Sequence, residues 1–384
     1  MKVLLVYKFF IPHWGGIETL MYSIAKGLSR YCEEVAVLTT ANHKTKNAVE
    51  EVDGIKVIRI PAFITFRKID VSFSVLRILS IIKKYDIIYI FGCLPSSVFI
   101  YTLLFGKLNN RLIAWHPAYY PSTTRTYQSD FSKMFRIIHD KIFLKLYSNF
   151  VSIILASTEE EVYSFSKIFR GKIYLVGECV NDPPPVAKSK VDEVLNNYKL
   201  SRNKYILNVG RIVHYKGQDL LINAWRNVEK DFPEFKLILV GEDWGLKCKL
   251  ISMINEYNLR NVVFAEGVDT ETLHVLYEEA LAVVSPSRFE AFHRVALEAW
   301  SHKKPIIALD LGGPTRHITP ESGILVRESS GDLEKALRKV ISRPHVAKIL
   351  GENGYRLFRN KYATDAYAQN LVRIFRTCFE KNSY

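Results

Sequence analysis

Two glutamates in the second half of the chain bracket a mostly apolar segment. Glu290 and Glu298 lie eight positions apart in SRFEAFHRVALEAW, residues 287–300. If residues 292–301 are helical, this separation spans about 12 Å, whereas the paired carboxylates of a glycosidase site stand about 5–9.5 Å apart. The pair is therefore expected to bind separate parts of one elongated ligand. A helix cap and a solvated surface side chain are the alternatives for either glutamate alone.

A basic loop earlier in the same half is suited to phosphates. In VGRIVHYKGQDLLINAW, residues 209–225, Arg211 follows an apolar run and Lys216 comes just before a helical pattern. The N-terminus of a helix offers free N–H groups and the positive end of its dipole, so two cations beside it predict a diphosphate site. A solvated basic loop is the alternative for either cation. The loop lacks GxxxxGK[ST] and is therefore not a Walker P-loop.

The acidic pair and the basic loop together favour a nucleotide sugar as the ligand. Glu290 would contact the sugar hydroxyls, and Glu298 would contact the ribose diol. Phe292, His293 and Arg294 would start a helix between them and offer backbone N–H groups to the phosphates or the sugar.

The first half contains further candidates. Gly15 and Gly16, in FFIPHWGGIETL, would let a ligand approach the backbone where a helix starts, and a plain turn is the alternative. The segment lacks G-x-G-x-x-G, and the next apolar run ends in VLTT, so the dinucleotide-binding fingerprint is absent. His116, at the end of RLIAWH, fits either a structural role or a place in the site. His13 and Trp14 are weaker candidates for acceptor contact.

These motifs resemble those of retaining glycosyltransferases of the glycogen-synthase and phosphatidylinositol-mannosyltransferase type, family 4 of the GT-B fold. The resemblance rests on the GR…KG loop, on two glutamates separated by seven residues and on EAW…KPIIA after them, and it covers most of the chain. It implies that Arg211 and Lys216, with Gly210, hold the diphosphate and stabilise the leaving group. It also implies that Glu290 contacts the donor sugar and Glu298 the ribose.

The resemblance extends to the first half, with two departures. It implies that Gly16 approaches the donor phosphates or the acceptor and that His116 faces the donor sugar. His293 stands where the family usually has glycine, so the sugar pocket is narrowed and the identity of the donor sugar does not carry over. ECVNDP replaces the family's NG(V/I)D, which affects the path of the linker.

The implied reaction moves a hexose from a UDP- or GDP-linked sugar to an acceptor hydroxyl of a lipid-linked or polysaccharide glycan, with retention of configuration. No Asp-x-Asp pair is present to hold a metal ion on the diphosphate, so we expect neither a cofactor nor a divalent metal. A sugar-nucleotide epimerase or phosphorylase of the same fold is the alternative. A nicotinamide dehydrogenase lacks its fingerprint here, and no nucleic-acid-binding module is recognisable.

The elements that position these residues repeat along the chain. Continuous Val/Ile/Leu runs alternate with helical patterns, which is typical of parallel strands covered on both faces. The sequence predicts two Rossmann-like, doubly wound α/β domains facing each other across a cleft, with ligand-binding residues just after strands. The runs are KVLLVY, EVAVLTT, IKVIRIP, DIIYIFG, RLIAWHP, VSIILAST, KYILNVG, KLILVGE, NVVFAEG, LAVVSPS and PIIALDL.

The length of 384 residues fits two domains. We expect an acceptor-binding domain over 1–184, a linker over 185–200 and a nucleotide-sugar-binding domain over 201–361. Residues 362–384 are expected to form a helix that crosses back to the first domain. The linker is predicted from GECVNDPPPVAKSK, which has a triple proline and no apolar periodicity.

Composition narrows the class of protein. Hydrophobic residues make up 48% of the chain, enough to bury real cores. The five cysteines are scattered, which indicates reduced intracellular thiols rather than disulfides or a zinc site. No secretory signal precedes the first strand, and CLPSSVFIYTLLFG is shorter than the roughly 20 residues that cross a bilayer. We therefore expect a cytoplasmic protein, either free or resting on the membrane.

The formal net charge of +14 calls for an anionic partner. Residues 1–184 contain 23 Lys and Arg against 15 Asp and Glu, and the remainder contains 30 against 24. Nucleic acid, phosphorylated metabolites and anionic lipid would each satisfy this excess. Residues 131–150 and 66–85 predict amphipathic helices that either pack on the first sheet or dock on anionic lipid. The docking cations of the first segment would be Lys133, Arg136, Lys141 and Lys145.

Overall fold

The chain forms two compact units. The computed structural model describes residues 1–12, 15–41, 49–62, 64–66, 69–93, 96–118 and 142–382. The first unit comprises Met1–Cys179 together with the segment that begins at Thr364, and the second comprises Val180–Ala363. Each unit contains a mostly parallel sheet with helices packed on it.

The first unit is built from ten strands and six helices within the described residues. The strands are β1 (Lys2–Val6), β2 (Glu34–Ala41), β3 (Val49–Val52), β4 (Ile55–Pro61), β5 (Ile64–Phe66), β6 (Ile69–Val71), β7 (Ile87–Phe91), β8 (Leu112–His116), β9 (Ile153–Ala156) and β10 (Lys172–Leu175). The helices are α1 (Gly16–Leu28), α2 (Val75–Ile82), α3 (Ser97–Leu108), α4 (Leu144–Ser148), α5 (Glu159–Ser166) and, at the end of the chain, α13 (Thr364–Asn382).

The main sheet of the first unit reverses its winding direction in the middle. Its order within the described part of the chain is β10-β9-β8-β7-β1-β2-β4-β3, parallel except for the β3–β4 pair. A separate antiparallel pair is formed by β5 and β6. The chain winds from β1 towards β4 on one side and from β7 towards β10 on the other. In doubly wound sheets such a switch point, at the carboxyl ends of the strands, is where ligands bind.

The second unit repeats this plan with a sheet that is parallel throughout. Its order is β13-β12-β11-β14-β15-β16, so the switch point lies between β11 and β14. The strands are β11 (Tyr205–Val209), β12 (Lys236–Val240), β13 (Val262–Ala265), β14 (Ala282–Ser285), β15 (Ile306–Leu309) and β16 (Gly323–Val326). The helices are α6 (Lys188–Asn197), α7 (Gln218–Asp231), α8 (Lys247–Glu256), α9 (Thr270–Glu279), α10 (Arg294–Ser301), α11 (Ser330–Ser342) and α12 (Pro344–Leu357).

The continuous apolar runs are explained by burial of both faces of each sheet. In β1, Val3 and Leu5 belong to one core cluster, and Leu4 and Val6 belong to the other. Successive side chains of a strand point to opposite faces, so a strand with helices on both sides needs apolar residues at every position. This arrangement confirms the predicted pair of doubly wound parallel-sheet domains.

Each apolar run predicted as a strand lies in one of the two sheets. Sequence reasoning missed β3, β5, β6, β10 and β16, which are three or four residues long. The strands β3, β10 and β16 lie at sheet edges and are only partly buried, and β5 and β6 form a separate pair, so none of them needs the unbroken apolar run of a strand buried on both faces.

The predicted linker over 185–200 differs from the structure. It contains α6, whose Val191, Val194 and Leu195 are buried in the core of the second unit. Their spacing of three and four residues places them on one face of a helix, and this face packs inside the unit. The triple proline marks only the non-helical segment that precedes α6, and the units divide earlier, after Cys179.

The last helix packs on the first unit. A Cβ atom added to Gly27 of α1 would lie 2.8 Å from the Thr364 carbonyl oxygen and 2.9 Å from the Ala368 Cβ, so glycine lets α1 and α13 approach closely. The Tyr31 hydroxyl donates a hydrogen bond to Asp365 Oδ1 over 2.7 Å at the start of α13.

Candidate functional site

The two segments singled out in the second unit meet at the switch point of its sheet. The basic loop follows β11, the segment with Glu290 follows β14, and these two strands are neighbours. Lys216 Nζ lies 2.6 Å from Glu290 Oε1, although the two residues are 74 positions apart. Their side chains are largely buried, with 17% and 15% of their surface exposed. Lys216 of the basic loop and Glu290 of the acidic pair therefore meet at the carboxyl edge of this sheet.

Backbone contacts hold these loops together. Gly217, which starts α7, has a φ of 73°, and a Cβ there would lie 1.9 Å from the Pro286 carbonyl oxygen. Only glycine fits this combination of left-handed backbone and close approach. The Arg288 N–H donates a hydrogen bond to the Tyr215 carbonyl oxygen over 2.8 Å. The position of Lys216 relative to Glu290 is thus set by the backbone on both sides.

A second ion pair, missed by the sequence analysis, joins the same loops. Arg288 Nη1 and Nη2 donate to Asp219 Oδ1 and Oδ2 over 2.7 Å and 3.2 Å, and Nη1 also donates to the His214 carbonyl oxygen. Both side chains are 13% exposed. Burial acts to raise the pKa of Asp219, but the hydrogen bonds and charge of Arg288 outweigh it and lower that pKa. The sequence did contain a signal for this pair. Asp219 and Arg288 carry opposite charges, and they lie three residues after Lys216 and two residues before Glu290.

Arg211 stands beside an exposed aromatic ring. Its guanidinium lies 4.2 Å from the centre of the Trp244 ring, and Gln218 Nε2 donates to its carbonyl oxygen over 2.9 Å. Trp244 is 54% exposed, and its indole N–H donates to Glu242 Oε2 over 2.9 Å. Stacking of this kind orients a guanidinium while leaving its N–H groups free to bind an anion. Sequence reasoning did not single out Trp244.

The helix that carries Glu298 begins later than predicted, at Arg294. The His293 N–H donates to the Pro314 carbonyl oxygen over 3.3 Å, and the Arg294 N–H donates to the Phe292 carbonyl oxygen over 2.9 Å. These two N–H groups are therefore occupied in this structure and do not form the anion-binding helix start that the sequence analysis predicted.

The side chains of Phe292 and His293 are buried. The Phe292 ring stacks on His317, with the ring centres 4.5 Å apart, so it contributes to the core. His293 is 1% exposed, and neither of its ring nitrogens has a hydrogen-bond partner among the described residues. Burial lowers the pKa of His293, Glu290 acts to raise it and Lys216 acts to lower it. The imidazole of His293 is therefore neutral, and it lies close enough to Lys216 and Glu290 for both charges to affect its pKa.

Glu298 is held by two neighbours. Its Oε2 accepts a hydrogen bond from the Tyr277 hydroxyl over 2.8 Å, and its Oε1 lies 3.5 Å from Arg294 Nε. The side chain remains 27% exposed. Arg294 therefore contributes an ion pair to Glu298, a contact that the sequence analysis had not assigned to it.

Gly16 and His116 lie at the carboxyl edge of the first sheet. A Cβ added to Gly16 would meet no atom of the described residues within 4 Å, so packing among them does not require glycine there. The His116 ring is fully buried, with Nδ1 3.0 Å from the Tyr89 hydroxyl and Nε2 2.8 Å from the Ser157 hydroxyl. Burial lowers the pKa of His116 to about 3. Both ring nitrogens therefore have protein partners, and a place for His116 in the site stays a prediction.

Several sequence-based predictions lie outside the described residues, namely those for His13, Trp14, Lys133, Arg136 and Lys141. In the part of the chain that is described, no group of three or more His, Cys, Asp or Glu side chains is placed to hold a metal ion. Over that same part, no helix has both the length and the apolar character needed to cross a membrane.

The family described as "Glycosyl transferases group 1" matches residues 192–357, which include the basic loop and both glutamates. Over its full length the chain is 25% identical to the O-antigen chain mannosyltransferase C of Escherichia coli, covering 100% of each protein.

Solved structures share the fold. The sucrose-phosphate synthase of Thermosynechococcus elongatus superposes with a TM-score of 0.76 at 18% identity, covering 99% of each chain. Anabaena Alr3699/HepE, crystallised with UDP and glucose, gives a TM-score of 0.75 at 18% identity, covering 98% of this chain and 100% of that one. With the family match and the full-length relative, these similarities support the assignment of this protein as a glycosyltransferase with the GT-B fold.

Proposed function

We propose that the protein transfers a hexose from a nucleoside diphosphate sugar to an acceptor hydroxyl with retention of the anomeric configuration, as in family 4 glycosyltransferases. The observation that supports this most is the 2.6 Å contact between Lys216 and Glu290 at the switch point of the second sheet. It brings a basic loop at a helix start together with a carboxylate that can hold sugar hydroxyls. The second unit would bind the donor, and the first would bind the acceptor.

The two cations have a defined task in this reaction. The bond between the anomeric carbon and the diphosphate oxygen breaks, a bond from the acceptor oxygen forms on the same face, and the hydroxyl proton is released. Negative charge grows on the departing diphosphate, and Arg211 and Lys216 would stabilise it without a divalent metal. The donor phosphates give Lys216 an anionic partner other than Glu290, which frees that carboxylate for the sugar. Glu298 would hold the ribose.

The comparisons support a proposal for the donor and the acceptor. The E. coli relative is named as a mannosyltransferase of O-antigen chains, and the Anabaena structure holds UDP. We therefore propose a UDP- or GDP-linked hexose, with mannose first among the candidates, and a lipid-linked or polysaccharide glycan as acceptor. An epimerase or phosphorylase of the same fold is not favoured, because the named relatives are transferases.

Peripheral association with a membrane is part of the proposal. Next to Lys145, Ile142 is 57% exposed and Leu146 is 48% exposed. On α2 and the segment before it, Leu76 and Phe73 are also exposed. Apolar side chains beside cations suit the surface of an anionic bilayer, where a lipid-linked acceptor would lie. Flotation with vesicles containing anionic lipid, compared with neutral vesicles, tests this part separately.

A nucleotide-sugar panel tests the donor assignment. UDP-glucose, UDP-galactose, UDP-N-acetylglucosamine and GDP-mannose are added at saturation, and the true donor should raise the melting temperature by several degrees, because about 100 Kd of ligand adds roughly 2.7 kcal/mol. Failure of every nucleotide to stabilise the protein contradicts the assignment.

The activity assay uses that donor with glycan acceptors in EDTA, and NMR of the product gives its anomeric configuration. Lys216→Ala should lower kcat about 100-fold. Lys335→Ala, at a side chain that is 82% exposed, serves as the matched control and should keep full activity. Activity that disappears in EDTA and returns with Mg²⁺ contradicts metal independence, and an inverted product contradicts retention.

A further inference from the structure

The carboxylate of Glu298 accepts a hydrogen bond from a buried tyrosine, Tyr277, which has no role in the proposed reaction. The Tyr277 hydroxyl, on α9, donates to Glu298 Oε2 over 2.8 Å. Tyr277 is 1% exposed, whereas the Glu298 side chain is 27% exposed. One oxygen of the carboxylate is thus tied to the core of the unit, while the group as a whole still reaches the surface.

The phenol is itself fixed by its surroundings. Its ring stacks on His302, with centres 5.0 Å apart and planes at 16°. His302 Nδ1 lies 2.8 Å from the Glu298 carbonyl oxygen, and its Nε2 lies 3.0 Å from His274 Nδ1. Burial raises the pKa of Tyr277 well above its ordinary value, and the charge of Glu298 adds to this effect. The hydroxyl therefore stays protonated and donates a hydrogen bond to the carboxylate.

We propose that Tyr277 is a positioning residue that orients the Glu298 carboxylate towards the ribose diol, which rests on the role of Glu298 proposed above. An ionised carboxylate has about four acceptor sites. Tyr277 occupies one of them on Oε2, and Arg294 approaches Oε1 at 3.5 Å, so sites remain for two vicinal hydroxyls. Fixing the carboxylate before the ligand arrives lowers the entropy lost on binding.

This arrangement predicts discrimination between ribose and 2′-deoxyribose. A site built to bind a hydroxyl rejects the analogue that lacks it, because its acceptor is then left unpaired. If Tyr277 sets the direction of that acceptor, its loss should weaken binding of the ribonucleotide and leave the deoxyribonucleotide almost unaffected. A tyrosine that only supports the fold would change both affinities by the same factor.

The test measures the dissociation constants of UDP, GDP, dUDP and dGDP by titration calorimetry. For the nucleotide that binds, the wild-type protein should prefer the ribose form about tenfold or more, as expected for a hydrogen bond to a charged group. Tyr277→Phe should reduce this preference to about threefold or less. The KM for the donor should rise by about the same factor as the ribonucleotide Kd, and kcat at saturating donor should change less than about threefold.

Tyr205→Phe is the matched control. The buried Tyr205 hydroxyl donates to the Leu276 carbonyl oxygen over 2.8 Å, so its removal loosens the same helix but keeps the donor to Glu298. This variant should keep the wild-type preference for ribose. If Tyr277→Phe keeps it too, or weakens both nucleotide forms equally, the positioning role of Tyr277 is overturned.

Glu298→Ala separates the two proposals. If it abolishes the preference for ribose while Tyr277→Phe keeps it, the role of Glu298 stands and that of Tyr277 is refuted. If Glu298→Ala keeps the preference, the ribose role of Glu298 fails, and the role of Tyr277 fails with it. Should Tyr277→Phe not fold, His302→Leu removes the ring that supports the phenol. A reduced preference then supports the positioning role, and an unchanged one refutes it.

Discussion

The contact between Lys216 and Glu290 makes two measurable contributions, one to stability and one to turnover. Lys216→Met removes the ammonium group and keeps most of the apolar stem. Glu290→Gln removes the negative charge and keeps the shape of the side chain. The double variant removes both charges, so a double-mutant cycle isolates the interaction between them.

The magnitude follows from the burial of the pair. The atoms are 2.6 Å apart, and the side chains are 17% and 15% exposed, so water screens the contact poorly. Removing one partner leaves the other charge largely buried and should lower the free energy of unfolding by about 2 kcal/mol. For a unit of this size, that is a fall in melting temperature of roughly 4–8 °C. Loss of both partners should cost less than the sum of the single losses.

Turnover should follow a different pattern. Lys216→Met should lower kcat about 100-fold, as expected for a lost donor to transition-state charge, with a smaller change in the Kd of the donor. The double variant should recover part of the stability that the two single changes would together remove, but its kcat should stay as low as that of Lys216→Met. Melting temperatures come from calorimetry, and kcat and KM from product formation in saturating acceptor. If kcat stays within about threefold of wild type, Lys216 does not act on the leaving group, and strictly additive stability losses would contradict the ion pair.

Three further predictions follow from other contacts. Gly16→Val should leave the melting temperature almost unchanged, because no atom of the described part of the chain lies within 4 Å of the added Cβ, but should lower transfer at least tenfold if a ligand approaches there; full activity contradicts that role. Arg288→Ala should lower the unfolding free energy by about 3 kcal/mol in urea melts, because Asp219 loses a buried bidentate partner, and a loss below about 1 kcal/mol contradicts this. Burial lowers the pKa of His302 to about 4 from 6.5, so on acidification the unfolded chain binds a proton first. Stability is therefore lost between pH 6.5 and 4, with a slope of about 1.4 kcal/mol per pH unit, and His302→Gln should remove this contribution, so that the melting temperature of the variant falls less over that range.

Much of the fold could be predicted from local patterns. A strand covered on both faces needs an unbroken run such as KVLLVY, and such runs placed the main strands of both sheets. Strands such as β3 and β16 were missed because they lie at sheet edges and are only partly buried, so they need no unbroken apolar run. The helix α6 was hidden by the prolines before it, although its buried valines and leucine have helical spacing.

The sequence by itself determined which residue types could bind a nucleotide sugar, because Arg211, Lys216, Glu290 and Glu298 occupy motifs that are local in the chain. Only the tertiary structure decided which of these residues meet and what holds them. The contact of Lys216 with Glu290 joins residues 74 positions apart, and it exists because β11 and β14 are neighbours at a reversal of the sheet. The same dependence on topology hid the support that Tyr277 gives to Glu298, since one lies on α9 and the other on α10. Strand order and helix packing, which no local pattern encodes, bring such distant side chains into contact.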